Sequence, residues 1–307
     1  MNASDYLLNS TQVQDWINQN ARRVDGVLDR LLPSDEEPPS QLHSAIRWAA
    51  IGAGKRVRAC MVYAAAHACN ASHDAVIEQS LDRAAAAVEL VHAYSLIHDD
   101  LPCMDDDDMR RGKPATHVQY GEAMALLAGD AMQPLAFEWL SDMPISPALV
   151  VQSVRCLSGA IGTHGMAGGQ AIDLLSVGEQ LDGNDLAVMH AKKTGSLLTS
   201  CAQLGAIVVG ASSAHRDCLK RYSKAIGLAF QVVDDVLDAT QGSEQLGKTA
   251  GKDAESDKPT YVSLLGVSGA TDFAAQLHQE ACDALLPLGK RSEYLRGLAD
   301  FIVKRAH

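Results

Sequence analysis

The hydrophobic residues of the chain recur mostly at the spacing of α-helices. Between Tyr6 and Leu32 they return at intervals close to three or four positions, which places them on one face of a helix. The pattern stops before Pro33, where a proline-rich segment running to Pro39 predicts a loop. Comparable patterns predict helices at about 40–50, 74–98, 122–140, 147–164 and 216–239, one that starts near 186, and others from 261 to 306.

The composition supports a helical protein whose helices pack closely. Apolar residues make up 47% of the 307 positions and aromatic residues only 5%. Alanine, the strongest helix former, occurs in runs such as 64–66 and 84–87. Runs of β-branched residues, which favour strands, are scarce. Because no stretch marks a domain boundary, we expect a single all-α domain over residues 1–307.

One stretch, between Leu96 and Gly112, concentrates charge behind an apolar run. It contains six aspartates followed by the adjacent pair Arg110 and Arg111. Aspartates at this density bind hard divalent cations, and Mg²⁺ prefers a few carboxylates together with substrate phosphates. A guanidinium grips a diphosphate through two parallel hydrogen bonds. The stretch therefore indicates half of a site for a magnesium diphosphate, whereas the alternative is a solvated acidic loop without a ligand.

A second acidic segment follows an apolar run at Phe230. Asp234 and Asp238 are four residues apart on a predicted helix and share one face, with Asp235 beside them. Like charges at this spacing destabilise a helix by a few tenths of a kcal/mol. A bridging cation removes that penalty, so two such helices facing each other across a cleft would hold metal ions between them.

The spacing of the first aspartates is not that of a regular helix. Asp99 and Asp105 are six residues apart, which on an ideal helix puts them on different faces, and Pro102 lies between them. The segment must therefore leave the helix and loop so that the two carboxylates converge. We expect Asp99 and Asp105 to be metal ligands, with Asp100 ranked behind them.

Basic residues and a histidine provide further candidates. Lys55 and Arg58 are three residues apart at a predicted helix start, where free backbone N–H groups and the helix dipole favour an anion. Taken alone, they fit a diphosphate site and a solvated basic surface equally well. His92 lies seven residues before Asp99, nearly two helical turns, so both point the same way. A lone helical histidine is more often packed than a ligand.

Two aspartate-rich segments of this form, with Arg-Arg after the first, resemble the trans-isoprenyl diphosphate synthases, and most closely the bacterial farnesyl diphosphate synthases. The resemblance covers nearly the whole chain and includes the Gly-Lys-Arg-x-Arg segment and the Lys-Thr pair at 193–194. It implies an isoprenoid-synthase-type helical bundle around a central cleft, a homodimer, and Mg²⁺ as cofactor, with about three ions expected from the family.

The implied reaction joins isopentenyl diphosphate to dimethylallyl or geranyl diphosphate and gives (2E,6E)-farnesyl diphosphate. The resemblance implies metal ligands in both segments, namely Asp99, Asp100, Asp105, Asp234, Asp235 and Asp238. It assigns isopentenyl diphosphate to Lys55, Arg58, His92 and Arg111. It assigns the allylic diphosphate to Arg110, Lys193 and Lys258, and stabilisation of the carbocation to Thr194 and Gln231. Lys248 and Lys258 belong to a glycine- and lysine-containing loop at 241–259, which fits a lid over a phosphate site or an ordinary connection.

The resemblance also implies a product length. Tyr94 stands five residues before Asp99, roughly 7.5 Å along the helix, although helical spacing places Ser95 nearer the Asp99 face. Farnesyl diphosphate synthases tend to carry an aromatic residue here, which implies a fifteen-carbon product with Tyr94 as the stop. The alternatives are a geranylgeranyl diphosphate synthase, a terpene cyclase, which needs no isopentenyl site, and a non-catalytic partner subunit, which typically lacks some aspartates.

Charge and cysteine usage restrict the partners and the compartment. The formal net charge of −12 argues against nucleic acid as a partner. Seven dispersed cysteines suit a reducing compartment better than a disulfide framework. The N-terminus lacks the basic and apolar parts of a signal peptide, and no apolar run reaches about 18 residues. We therefore expect a cytoplasmic protein without a membrane span.

Overall fold

The computed structural model describes residues 8–52, 54–178, 181–240 and 260–304, and it confirms the all-α prediction. The first half consists of α1 (Ser10–Leu31), α2 (Ser40–Ala50), α3 (Val57–Cys69), α4 (Ala75–Asp99), the strands β1 (Met109–Arg110) and β2 (Lys113–Pro114), α5 (Thr116–Tyr120) and α6 (Glu122–Ser141). The second half consists of α7 (Pro147–Ile161), α8 (Met166–Leu175), α9 (Gly183–His190), a π-helical turn (Ala191–Gly195), α10 (Ser196–Val208), α11 (Ser213–Thr240), α12 (Tyr261–Ala284), a 3₁₀ segment (Leu286–Ser292) and α13 (Glu293–Val303).

Polar side chains define where several helices begin. At the start of α1, Asn9 accepts the backbone N–H of Gln12, whose side chain accepts the N–H of Asn9 in return. Asp74 caps α4 by accepting the N–H of Ile77 at 2.9 Å. Such caps stabilise a helix by about 1 kcal/mol each. The helix predicted at 147–164 ends earlier, because Gly162 leaves the helical conformation.

Two helices, α3 and α10, pack against each other in the core of the protein. Along α3 every residue except Arg58 and His67 is buried, and α10 packs against α3, α4, α7 and α11. The contact between α10 and α3 depends on Gly205, since a Cβ there would lie 2.2 Å from the carbonyl oxygen of Val62. The absence of a side chain at Gly205 thus lets the backbones of α3 and α10 approach closely. The helices that carry the aspartate segments, α4 and α11, both pack against α10.

The segment after the first aspartates forms a β-hairpin in which β1 pairs with β2. Arg111 and Gly112 both have positive φ values, 55° and 76°, as a type I′ hairpin turn requires. Trp48 of α2 anchors the hairpin, because its indole N–H donates to the Pro114 carbonyl at 3.1 Å. Lys113 lies over the same indole ring, with its ammonium 4.6 Å from the ring centre. The hairpin therefore holds Arg110 and Arg111 at defined positions.

None of the helices in the described part of the chain is long and apolar enough to cross a membrane.

Candidate active site

The loop after α4 brings Asp99 and Asp105 together. The helix ends at Asp99, and the backbone N–H of Asp105 donates to the carbonyl oxygen of Asp99 at 2.8 Å. A second backbone bond of 3.2 Å joins the N–H of Asp107 to the carbonyl oxygen of Asp100. The chain therefore folds back over Pro102, which accounts for the six-residue spacing that a straight helix could not accommodate.

Asp99 lies in surroundings that favour a nearby cation. Burial raises the pKa of its carboxyl to about 6, and the charges of Asp105 and Asp100 add to this rise, whereas Lys193 and Arg110 oppose it. Within the described residues, no three carboxylate, imidazole or thiol groups are gathered closely enough to hold an ion by themselves. Mg²⁺ typically takes one or two carboxylates and completes its shell with substrate phosphates, so this donor set fits an ion that arrives with a diphosphate.

Asp100 and Arg110 have each other as partners. Asp100 is only 2% exposed, and the Arg110 guanidinium donates to it through Nε at 3.0 Å and also through Nη2. Arg110 also pairs with Asp107 at 3.3 Å. The sequence treated Asp100 as a metal ligand and Arg110 as a diphosphate contact without predicting this pair. Because Asp100 is buried and paired with Arg110, it would have to give up part of this contact to bind a metal.

Arginines from two parts of the chain surround His92. Burial lowers its pKa well below the usual value, and the charges of Arg58, Arg111, Arg56 and Arg110 lower it further. The imidazole is therefore neutral at pH 7. Burial likewise lowers the pKa of Arg111 to about 10. Guanidinium groups near a neutral imidazole suit a polyvalent anion, although Arg56 and Arg110 also pair with carboxylates of the protein.

Arg58 has the clearest capacity to bind a ligand. Its Nε is buried and has no hydrogen-bond partner in the part of the chain that the structure describes. The charge of Asp234, from the second aspartate segment, raises the Arg58 pKa against the larger lowering effect of burial. Because a buried N–H without an acceptor is costly, an anion bound here would satisfy it.

Lys55 departs from its predicted placement. The helix starts at Val57, after Arg56 in a left-handed conformation with φ of 50°, so Lys55 precedes the helix and the face shared with Arg58 does not exist. Lys55 is exposed, and its ammonium lies 5.1 Å from the centre of the Phe301 ring. Arg56, within the same basic segment, was missed by the sequence reasoning. It is 4% exposed and pairs with Asp25 at 2.7 Å.

Lys193 and Thr194 lie in the π-helical turn between α9 and α10, a local irregularity that is frequent at functional sites. The Lys193 ammonium pairs with Asp173 at 2.6 Å, and the Thr194 hydroxyl donates to Oε1 of Gln231 at 2.5 Å. Gly169 of α8 packs directly on this turn, since a Cβ at Gly169 would lie 2.1 Å from the backbone nitrogen of Lys193. The turn therefore joins α8 and α11 around two candidate catalytic side chains.

In the second aspartate segment, Asp235 contacts the start of α12, whereas Asp234 and Asp238 remain candidate metal ligands. Asp234 and Asp238 are half-buried and four residues apart on α11, as predicted. Asp235 is 6% exposed and accepts the backbone N–H of Tyr261 at 2.7 Å, at the first residue of α12. This contact gives Asp235 a structural role that the sequence did not predict.

Tyr94 is a core residue of α4 next to the first aspartates. Its side chain is buried, and its ring makes an edge-to-face contact with His98, with 5.9 Å between ring centres. Burial and the charge of Asp99 raise the Tyr94 pKa to about 12. The Ser95 hydroxyl donates to the carbonyl oxygen of His92 at 2.9 Å, inside the same helix. Lys248 and Lys258 lie outside the described residues.

Comparison with known proteins gives consistent matches. Residues 39–284 match the family profile described as Polyprenyl synthetase. The probable farnesyl diphosphate synthase of Bradyrhizobium diazoefficiens is 42% identical over 288 residues, covering 92% of this chain and 85% of the relative. Geranylgeranyl pyrophosphate synthase 7, chloroplastic, of Arabidopsis thaliana is 44% identical over 292 residues, covering 93% and 82%.

Among solved structures, the geranyltransferase from Helicobacter pylori, complexed with magnesium and isoprenyl diphosphate, superposes with a TM-score of 0.86 at 30% identity, covering 95% of this chain and 98% of that one. The fold and most of the chain length are therefore shared with these proteins, whose names refer to products of different length.

Proposed function

The chain belongs to the polyprenyl synthetase family, and on that premise we propose that it joins isopentenyl diphosphate to dimethylallyl and then geranyl diphosphate to give (2E,6E)-farnesyl diphosphate. The observation that carries the proposal is a pair of cationic regions next to the first aspartate segment. One consists of the arginines around His92. The other contains Lys193, whose charge acts on the pKa of Asp99. Two diphosphates need two such regions.

The arginine region suits the diphosphate of isopentenyl diphosphate. Arg58 offers a buried N–H without a partner among the described residues, and Arg111, on the hairpin turn, is near enough for the charge of Arg58 to lower its pKa. The neutral His92 has a ring N–H to donate. Lys55, at the rim, would add a fourth contact. Holding the substrate in this way turns a bimolecular encounter into a near-attack geometry.

The allylic substrate would bind at the π-helical turn. There the bond between its C1 and oxygen breaks, and the electron pair leaves with the diphosphate. Lys193, Arg110 and Lys258 would hold the negative charge that develops on this leaving group. Lys193 and Arg110 would do so by giving up part of their contacts with Asp173 and Asp100. The oxygens of Thr194 and Gln231, 2.5 Å apart, would stabilise the allylic cation through their dipoles. C1 then bonds to C4 of isopentenyl diphosphate, and the released diphosphate takes the proton lost from C2.

We propose Mg²⁺, about three ions, as the cofactor. Asp99 and Asp105 would hold it from the first segment, and Asp234 and Asp238 from the second. Bound metal would supply Lewis-acid stabilisation of the departing diphosphate. The raised pKa of Asp99 supports this assignment, because a carboxylate in that position gains from a nearby positive charge. Asp100 and Asp235 would act through their protein contacts or join the metal only after those contacts break.

We propose a homodimer as the working form. Leu126 and Leu127 on α6 are 47% and 53% exposed, and Val151 on α7 is 56% exposed. The two helices pack against each other. The consecutive exposed residues Leu126 and Leu127 suit an interface between two copies of the chain.

Incubation of the purified protein with isopentenyl diphosphate, dimethylallyl diphosphate and Mg²⁺, followed by chromatography of the dephosphorylated products, tests the proposal. Farnesol is the expected product, and removal of Mg²⁺ by a chelator should abolish it. Geranylgeraniol as the main product would favour the second candidate function, geranylgeranyl diphosphate synthesis, which the Arabidopsis relative supports. Consumption of the allylic diphosphate alone would identify a terpene cyclase, and no consumption would contradict both synthase functions.

A further inference from the structure

The arginine region contains a buried carboxylate that lies outside the acidic and basic motifs. Glu89 is located on α4, three residues before His92, and its side chain is 3% exposed. Its Oε1 accepts the backbone N–H of Ala59 at 2.9 Å, and its Oε2 pairs with Nη1 of Arg56 at 3.3 Å. Because a buried charge needs cations and hydrogen-bond donors around it, these contacts fix the position of the Glu89 carboxylate.

Glu89 completes the start of α3. The residue before the helix, Arg56, has a left-handed backbone, and its side chain does not cap the first turn. Ala59 is the third residue of α3, and its N–H is among the donors without an acceptor inside the helix. Glu89 supplies that acceptor from α4, and its negative charge also suits the positive end of the helix dipole. The first turn of α3 carries Arg58, and Glu89 accepts the backbone N–H that directly follows it.

Glu89 also acts against repulsion between the arginines. Burial lowers the pKa of Arg58 and of Arg111, and in both cases the charge of Glu89 is the largest opposing influence. Arg56 has a second carboxylate, Asp25, and donates to the Ala50 carbonyl at 2.6 Å. Arg56 is therefore committed to the protein, whereas the buried Nε of Arg58 has no acceptor among the described residues and would meet an incoming anion.

We propose that Glu89 is a positioning residue of the isopentenyl diphosphate site, which keeps Arg58 and Arg111 together before the diphosphate binds. This inference rests on the proposed function. Without the Glu89 charge, the two guanidinium groups repel each other in a partly desolvated space, and the first turn of α3 loses part of its cap. The substrate would then have to gather the arginines during binding, which weakens its affinity without altering the allylic region.

The test compares Glu89→Gln with Asp82→Asn. The glutamine substitution keeps the shape of the side chain and an oxygen for the Ala59 N–H but removes the charge. Asp82 lies seven residues earlier on the same helix and bonds to Arg23 at 2.6 Å and to the Tyr63 hydroxyl at 2.8 Å, so it controls for the loss of a carboxylate that is unrelated to the site. We expect E89Q to raise KM for isopentenyl diphosphate about tenfold or more, with KM for the allylic substrate within about twofold of wild type. D82N should lower the melting temperature but leave both KM values unchanged.

Other outcomes overturn the proposal. A folded E89Q protein with wild-type KM for isopentenyl diphosphate, or with equal increases for both substrates, would leave Glu89 without a positioning role. If E89Q does not fold, the second variant is Glu89→Asp, which keeps the charge but shortens the side chain. It should also raise KM for isopentenyl diphosphate. A wild-type KM in this variant, or its failure to fold, would contradict the proposal. A wild-type protein that does not consume isopentenyl diphosphate would instead overturn the proposed function.

Discussion

At the scale of single residues, burial and existing partners determine which charged groups can meet a substrate. Asp100 is bound by Arg110, and Asp235 accepts the N–H of Tyr261. Asp99 and Asp234 are half-buried and lie next to the cationic residues of the site. Neighbouring aspartates in one motif therefore differ in burial and in the protein contacts that they make.

The first prediction concerns the metal ligands. Asp99→Ala and Asp234→Ala should each lower turnover by orders of magnitude with the helical content retained, because loss of a ligand weakens stabilisation of the leaving group and each tenfold loss is about 1.4 kcal/mol. Asp108→Ala is the control, since the Asp108 side chain is 85% exposed. Steady-state kinetics and circular dichroism measure the effects. Near-wild-type turnover in D99A or D234A would exclude the two-segment metal site.

Arg58 should affect the two substrates differently. Arg58→Ala is expected to raise KM for isopentenyl diphosphate more than KM for the allylic diphosphate, since a lost charge-assisted hydrogen bond costs about 1.5–3 kcal/mol. Arg22→Ala, which removes an exposed arginine of α1, controls for the change in net charge. Varying one substrate at saturating concentrations of the other gives both constants. Equal effects on both would show that Arg58 does not mark a separate isopentenyl site.

Tyr94 is expected to control product length. Tyr94→Ala should open space below the first aspartates, and each methylene of a longer product would gain about 0.8 kcal/mol on burial there. Tyr94→Phe keeps the ring against His98 and should retain the fifteen-carbon product. Chromatography after incubation with excess isopentenyl diphosphate separates the outcomes. A fifteen-carbon product from both variants would mean that another residue limits the length of the product.

At the scale of elements, glycines decide how closely the helices approach the site. The π-helical turn is packed against α8 at Gly169 and against α11 at Gly227, where a Cβ would lie 3.1 Å from the Cα of Gly195. These contacts place Lys193 opposite Asp173 and Thr194 opposite Gln231. The geometry of the candidate catalytic pair thus depends on residues without side chains.

Gly169→Ala should disturb this packing. The new Cβ would meet the backbone of Lys193 at 2.1 Å, and relief of such overpacking typically costs about 1–3 kcal/mol. We expect a lower melting temperature together with a loss of turnover. Gly159→Ala is the control, because Gly159 lies in α7 with nothing within 4 Å of its added Cβ, and alanine is the better helix former. Unchanged activity in G169A would show that the turn tolerates displacement.

At the scale of the whole molecule, an ion pair between the last two helices links stability to pH. His278 of α12 lies 2.7 Å from Asp300 of α13. The hydrogen bond to Asp300 raises the pKa of His278 to about 9, and the same bond lowers the pKa of Asp300. In the unfolded chain the histidine titrates near about 6.5. The His278 contribution is therefore complete below about pH 6.5 and disappears as the pH rises through about 9.

The corresponding prediction is a loss of stability in alkali. Between about pH 6 and pH 10 the wild-type protein should lose roughly 0.5–1 kcal/mol of unfolding free energy relative to His278→Gln, a modest value because both side chains are partly exposed. The lowered pKa of Asp300 adds a contribution that is present above about pH 3.9 and is lost on acidification. Urea denaturation at several pH values measures the difference. Parallel curves for the two proteins would contradict the assignment.

The sequence by itself located most of the long helices and determined the residue types of the site. Periodic apolar positions located α2 at its observed bounds, because that signal is local and repeats every turn. The two aspartate segments and the arginine pair were recognisable because their charge could not be buried without cations. Pro102 was enough to predict that the chain leaves the helix after Asp99.

Only the tertiary structure decided how those residues are used. The pairing of Asp100 with Arg110, the capping of α12 by Asp235 and the burial of Glu89 against Ala59 each join positions whose proximity no local pattern reveals. Lys55 fell outside its predicted helix because the left-handed residue Arg56 delays the start of α3. Periodicity reports which face of a helix is apolar, whereas the partners of a buried charge depend on which helices pack together, and that is set by long-range contacts between small residues.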